Sequence, residues 1–399
     1  MAHDNARNVR PCPVCGGMGR RQLYRQSFAQ MSEGNLLASY DVVVCAECGM
    51  GFADHIPEQA TFDAYYRDMS KYEDASPQGQ PSPDDLVRFR SLADFIQKHL
   101  GDRHARIIDV GCGTGGLLAE LKQRGYENVA GVDPSETCAE RALAWYGIPV
   151  LTGSIQNVSV EDGSRDAVIV SGVLEHLTEP GPALQRLSRM LTHRGQVFVV
   201  VPDAAHFAEA ENAPFQEFSV EHINFFSQFS LVNLMRRSRF REQVVEQLTL
   251  PLGYRTTWPA IRAVFQKTDD DLPCDLTQDE ETSTSLTRYV ELSQQRAEPI
   301  LATISRLADR ATPIIVWSAG LHTLRLLMVS RLGDIQIVVF VDTNPHCQGK
   351  LLRSVPIVAP AELKGRTEPI LISSRGYQQE IERQIRDELH LDNEVITLY

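Results

Sequence analysis

The chain has 399 residues, 43% of them hydrophobic and 23% charged, so it is long enough for two or three cores of ordinary globular make-up. Its net charge of −13, with no dense Lys/Arg run, argues against a nucleic-acid partner. The N-terminal `MAHDNARNVRPC` lacks the apolar core of a secretory leader, and the longest apolar run, `VFVVVP`, is strand-sized. The expectation is a cytoplasmic protein without membrane contact.

Residues 1–73 read as a small module built on two CxxC pairs, Cys12/Cys15 and Cys45/Cys48. Four thiolates from two tight turns suit tetrahedral zinc. Glycines follow the second cysteine of each pair, where a turn must close. Four sulfurs leave no open coordination position, so one structural zinc ion is expected. The segment `DASPQGQPSPDD` then reads as a linker. Ser82 and Pro83 sit where an N-cap and a first helical position belong, ahead of an amphipathic helix.

Over residues 84–270 apolar strands alternate with helices: `RIIDVG`, `NVAGVD`, `DAVIVS` and `QVFVVVP`, with `REQVVEQLTL` and `PAIRAVFQK` as further strands. Uninterrupted apolar strands separated by helices predict a parallel sheet covered on both faces. The turn `DVGCGTGG` follows the first strand and opens a helix, where backbone amides can meet a ligand. Gly111, Gly113 and Gly116 fit the dinucleotide pattern G-x-G-x-x-G. Gly111, Gly113 and Gly115, preceded by Asp109, fit the loop that binds S-adenosylmethionine (SAM). A carboxylate at 109 suits an ammonium group and would sit awkwardly beside a pyrophosphate, which favours SAM. Asp133 ends the second strand and can accept two hydrogen bonds from ribose hydroxyls.

Residues 280–399 open with a long helical stretch, expected to bend or break at Pro299. A second α/β unit follows, with Gly320 at its first turn and Asp342 at the end of its second strand. His322, Asn344, Arg325 and Arg353 are its candidate ligand-facing residues.

The order strand–`DVGCGTGG`–helix–`GVD`–`VLEHL` resembles class I SAM-dependent methyltransferases. The fold expected is therefore α/β: a Rossmann-like methyltransferase core, an N-terminal zinc-binding module and a C-terminal Rossmann-like domain. Ser154 and Ile155, in `TGSIQNV`, lie where that family contacts adenine. The whole arrangement, with `EHINFFS` and `WSAGLHT`, is similar to the zinc-containing deoxysugar C-methyltransferases, which act on nucleotide-linked keto-sugars. That resemblance implies a nucleotide-sugar substrate held partly by the C-terminal domain. It also implies His222 as general base beside Glu221, with His176 of `LEHL` a further candidate. The chain departs from that family at Ser219 and Val220, where a Tyr-His pair is usual before the Glu-His. Tyr65, Tyr66 and Tyr72 are possible replacements for the missing phenol. Competing readings are an O- or N-methyltransferase of another small polar metabolite, a zinc-dependent nucleic-acid-binding factor, and a nicotinamide site. The competing role for either histidine is to bond a backbone carbonyl and hold its loop.

Overall fold

A computed structural model describes residues 9–68, 79–251, 256–270 and 275–399. Tyr72, Cys274 and residues 74–78 at the start of the Pro/Gly/Ser segment lie outside the described residues.

The N-terminal part contributes β1 (Arg20–Ser27), β2 (Ser39–Cys45), β3 (Gly51–Asp54) and α1 (Gln59–Asp68). The central part starts with α2 (Pro83–His99), β4 (Ile107–Val110), α3 (Gly116–Gln123), β5 (Val129–Asp133), α4 (Glu136–Tyr146) and β6 (Val150–Thr152). It continues through β7 (Arg165–Ser171), α5 (Pro180–Met190), β8 (Leu191–Pro202), β9 (Asn224–Phe225), α6 (Gln228–Arg237), β10 (Phe240–Pro251) and β11 (Thr257–Lys267). Then follow α7 (Glu280–Arg310), β12 (Ile314–Trp317), α8 (Leu321–Val329), β13 (Ile337–Val341), β14 (Leu351–Leu352) and β15 (Val355–Val358). The chain ends with β16 (Ile370–Ile372), α9 (Gln378–Arg383) and β17 (Val395–Thr397).

The central sheet runs β10-β11-β8-β7-β4-β5-β6, parallel from β6 to β8, with β11 antiparallel to both neighbours. Its strands alternate as the period-2 pleat requires. Ile108, Val110, Val168 and Val170 pack towards α5, through Leu184 and Leu187. Ile107, Ile169 and Phe198 pack towards α2 and α3, through Phe95, Ile96 and Leu118. The chain leaves β4 in one direction to β5 and in the other to β7. The carboxyl ends of β4 and β7 therefore flank the crevice where such sheets bind ligands.

The expected starts hold locally. Ser82 accepts from the Asp85 amide and Pro83 opens α2, while Ser135 caps α4. Pro299 does not break α7, which runs continuously from Glu280 to Arg310. The proline sits on the exposed face, so the carbonyl left without a helical donor meets water, while Ala297, Ile300 and Ile304 keep the inner face packed.

One strand crosses between parts of the chain. β9, from the `EHINFFS` segment, pairs antiparallel with β3 and completes the sheet β1-β2-β3-β9. Phe218 and Phe225 are fully buried with Phe28, Tyr40 and Phe62 of the N-terminal part and Tyr289 of α7. Burying each ring contributes roughly 1.5–3 kcal/mol. These rings weld three parts of the chain together.

The C-terminal sheet runs β14-β15-β13-β12-β16-β17 and is parallel except at β14. It also touches the N-terminal part: the Ala29 amide donates to the Leu324 carbonyl, and the Ser32 amide to Leu351. Among the described residues, no helix is long and apolar enough to cross a membrane.

Candidate active site and four-cysteine cluster

The four cysteines converge. Sγ of Cys12 and Cys48 lie 3.6 Å apart, and those of Cys15 and Cys45 3.5 Å apart. All four sulfurs fall within 4.8 Å of one another. Thiolates about 2.3 Å from a tetrahedral zinc stand about 3.8 Å apart, so the donor set fits. The Gly17 amide donates to Cys15 Sγ and the Glu47 amide to Cys45 Sγ. Gly49 adopts φ +82°, and a Cβ there would meet the Asp279 carbonyl at 1.9 Å.

A cavity of about 840 Å³ opens at the carboxyl edge of the central sheet. Asp109, Gly111, Gly113, Asp133, Ser154 and Ile155 line one wall. Gly111 and Gly113 take φ of +77° and +53°, turning the loop back under the strand ends. The Gly113 amide donates to Asp133 Oδ2 at 2.8 Å, and the Ser135 amide to Oδ1 at 3.0 Å. Burial, and then the charge of Asp133, push the Asp109 carboxyl well above its ordinary range. A cation brought against it would lower it again. Gly115 is not among the lining residues; it caps α3 at φ +82° against Ala142. Cys112, Thr114 and Gly116 line the wall beside it.

The opposite wall carries His176, Glu221 and His222, with Tyr66, Glu175 and Ser219. His176 sits in a short turn after β7, and Glu221 and His222 precede β9. The two imidazoles lie 5.0 Å apart, edge to face. Nδ1 of His176 is 2.9 Å from the Glu221 carbonyl and 2.8 Å from the Tyr66 hydroxyl. A carbonyl only accepts, so it draws the proton to Nδ1, and Nε2 lies 3.9 Å from Glu175 Oε1. His176 thus holds its loop against the Glu221 segment. The Tyr65 hydroxyl donates to Glu221 Oε1 at 3.3 Å. Ser219, the residue that departs from the usual phenol, accepts from the amides of Glu221 and His222 at 3.2 and 2.9 Å. It shapes the loop, while phenols arrive from α1.

A third wall comes from the C-terminal part: Ser318, Gly320, His322, Ser373, Arg375 and Tyr377. His322 is buried, its Nε2 bonded to the Tyr399 hydroxyl at 2.8 Å. Burial, aided by Arg325, lowers it to about 3, so it stays neutral. Arg375 donates to the Asn212 carbonyl at 3.0 Å. Asn344, Arg325 and Arg353 do not line the cavity. Asn344 is occupied within its own loop, accepting from the His346 amide. Arg325 is buried, 4.0 Å over the Phe215 ring, and bonds Tyr24.

Glu217 was not legible in the sequence. It lines the cavity where the central and C-terminal parts meet, and its Oε1 accepts from Asn212 at 3.1 Å. Burial raises its carboxyl to about 7.

Residues 86–245 match the family model described as a methyltransferase domain, and residues 311–397 match the one described as C2185-like, N-terminal. The ubiquinone biosynthesis O-methyltransferase of Chromobacterium violaceum is 32% identical over 114 residues. The enzyme of the same name from Azoarcus is 35% identical over 112 residues. Each alignment spans 26% of this chain and 47% of the relative, so the chain covers about half the length of these curated relatives. Among solved structures, the Burkholderia thailandensis 1,6-didemethyltoxoflavin-N1-methyltransferase, bound to its substrate and S-adenosylhomocysteine, covers 56% of this chain and 97% of itself. It has 18% identity and a TM-score of 0.42. Residues 86–245, which match the methyltransferase-domain model, contain strands β4 to β8 of the helix-covered central sheet and the glycine loop between β4 and α3.

Proposed function

We propose that the protein transfers the methyl group of SAM to a carbon of a nucleotide-activated keto-sugar. The observation that carries this reading is one cavity with three chemically different walls. Asp109, Gly111, Gly113, Asp133 and Ser154 would hold SAM, which supplies an electrophilic methyl on a sulfonium. His222 takes the proton α to the ketone, and Glu221 sits beside it in the chain to stabilise the imidazolium. The enolate carbon then forms the C–C bond as the C–S bond breaks, and the thioether leaves. The Tyr66 hydroxyl, placed by its contact with His176, can donate a hydrogen bond to the enolate oxygen. The start of α8 at Gly320, with Ser373 and Arg375, offers donors to a diphosphate. Zinc at Cys12, Cys15, Cys45 and Cys48 would hold the N-terminal sheet, of which the base-bearing segment is a part.

A second reading is O-methylation of another small polar acceptor, favoured by the name of the curated relatives. There the same base would take a hydroxyl proton. The test is deuterium uptake at the α-carbon of nucleotide-linked keto-sugars in heavy water, without SAM. Uptake that vanishes in His222→Ala supports C-methylation. No uptake with any keto-sugar, together with methylated hydroxyls in a SAM-supplied screen, supports the second reading.

A further inference from the structure

Arg10, two residues before the first cysteine, is buried although it carries a fixed charge. Its guanidinium meets dipoles from three separate segments. Nη1 donates to the carbonyls of Ala53 at 3.3 Å and Ile223 at 3.2 Å. Nη2 donates to Leu177 at 3.1 Å, Thr178 at 2.6 Å and Asn224 Oδ1 at 2.8 Å, and Nε donates to Thr178 at 3.2 Å. Its own amide is anchored on Asp54 Oδ1 at 2.9 Å.

Asn224 completes the arrangement. Its Nδ2 donates to the carbonyls of Leu174 and Leu177, both at 2.7 Å, and the Ile223 amide donates to Glu175 at 2.8 Å. The carbonyls of Leu174, Glu175, Leu177 and Thr178 are therefore all taken by Arg10 or by the Ile223–Asn224 pair. His176 stands in the middle of that turn, and His222 immediately precedes Ile223. The five donors of one planar guanidinium thus fix the two loops whose imidazoles face each other across the cavity wall.

We propose that Arg10 is a positioning residue for methyl transfer, and that it makes the geometry of the His176–His222 pair depend on metal at the four cysteines. The proposal rests on the reading of that pair as the site's acid–base machinery. Metal binding orders the first CxxC turn, and that turn fixes Arg10. Arg10 aligns the 174–178 turn with residues 221–224. The cofactor loop at 109–116 bonds to β5, not to Arg10, and stands outside this chain of contacts. Lysine cannot substitute, because an ammonium has three donors and no fork to span three segments.

The test measures amide hydrogen exchange and S-adenosylhomocysteine affinity on three full-length samples: zinc-loaded protein, the same protein stripped by a chelator, and Arg10→Lys. The expected result is faster exchange, by about tenfold or more, at 174–178 and 221–224 in both altered samples, with protection at 107–116 retained and affinity changed by less than about threefold. Methyl transfer to whichever acceptor the keto-sugar screen identifies should lose at least about tenfold in kcat, with KM for SAM little changed. Unchanged exchange at the two loops overturns the proposal. So does protection lost equally at 107–116, which marks Arg10 as general structural support. If Arg10→Lys does not fold, the stripped wild-type sample decides by the same criterion. Exchange does not depend on the chemistry, so a failure of the keto-sugar reading stays distinguishable from a failure of the Arg10 link.

Discussion

The Tyr66 hydroxyl and Nδ1 of His176 lie 2.8 Å apart, although the residues are 110 positions apart in sequence. The contact places a phenol from α1 at the cavity wall, on the loop after β7. In the `FSVEH` segment Ser219 shapes the turn, accepting from the Glu221 and His222 amides. Tyr66→Phe keeps the ring and its edge-to-face contact with His176 and removes only the oxygen. We expect kcat to fall by about tenfold to a hundredfold with S-adenosylhomocysteine affinity unchanged. Full activity would remove Tyr66 from the mechanism.

His222→Ala should lower turnover by about a hundredfold to ten-thousandfold, the usual contribution of a positioned base. Thermal stabilisation by S-adenosylhomocysteine should persist, because the cofactor wall is a separate set of residues. Near-wild-type turnover with normal cofactor binding would refute the base assignment.

Asp133→Ala should weaken S-adenosylhomocysteine binding by about tenfold to a thousandfold in calorimetry. The loss has two parts. The carboxylate no longer accepts from ribose hydroxyls, and the Gly113 and Ser135 amides lose their acceptor, which loosens the glycine loop. Asp133→Asn should be milder, since the amide oxygen can keep one of those bonds.

Cys45→Ser should lower the zinc bound per chain and loosen the N-terminal sheet together with β9, which the Phe218–Phe225 core ties to it. The melt should show an early phase carrying that sheet ahead of the central part. Elemental analysis and calorimetry together check both statements.

Glu217 gives a pH dependence with a definite sign. Its folded-state pKa of about 7 lies above the value of about 4.3 expected in an unfolded chain. The native state therefore holds the proton more tightly. This contribution to stability is full below pH 4 and is lost as pH rises towards 7, by about 4 kcal/mol. Glu217→Gln should flatten the stability profile between pH 4 and 7 and be relatively more stable at pH 8. Denaturant midpoints across that range provide the check. An identical slope in the variant would place the titration elsewhere.

The sequence by itself determined the local features. Two CxxC turns, capped helices, apolar strands and a glycine turn behind Asp109 are short patterns whose chemistry acts within a few residues. They picked out the Asp109–Asp133 wall of the cavity and the four sulfurs, and they marked His176, Glu221 and His222 as candidates. Only the tertiary structure decided how these meet. Tyr66 reaches His176, Arg10 reaches the turn after β7 and Asn224, and the C-terminal part supplies Ser373 and Arg375 to the cavity. Each of these contacts joins segments distant in sequence, so it depends on how sheets and helices pack rather than on periodicity. Burial likewise decided the protonation of Glu217 and His322, and the fate of Phe218 and Phe225 as a weld between parts of the chain. The desolvation of a side chain is set by everything packed around it, and no short stretch of sequence contains that information.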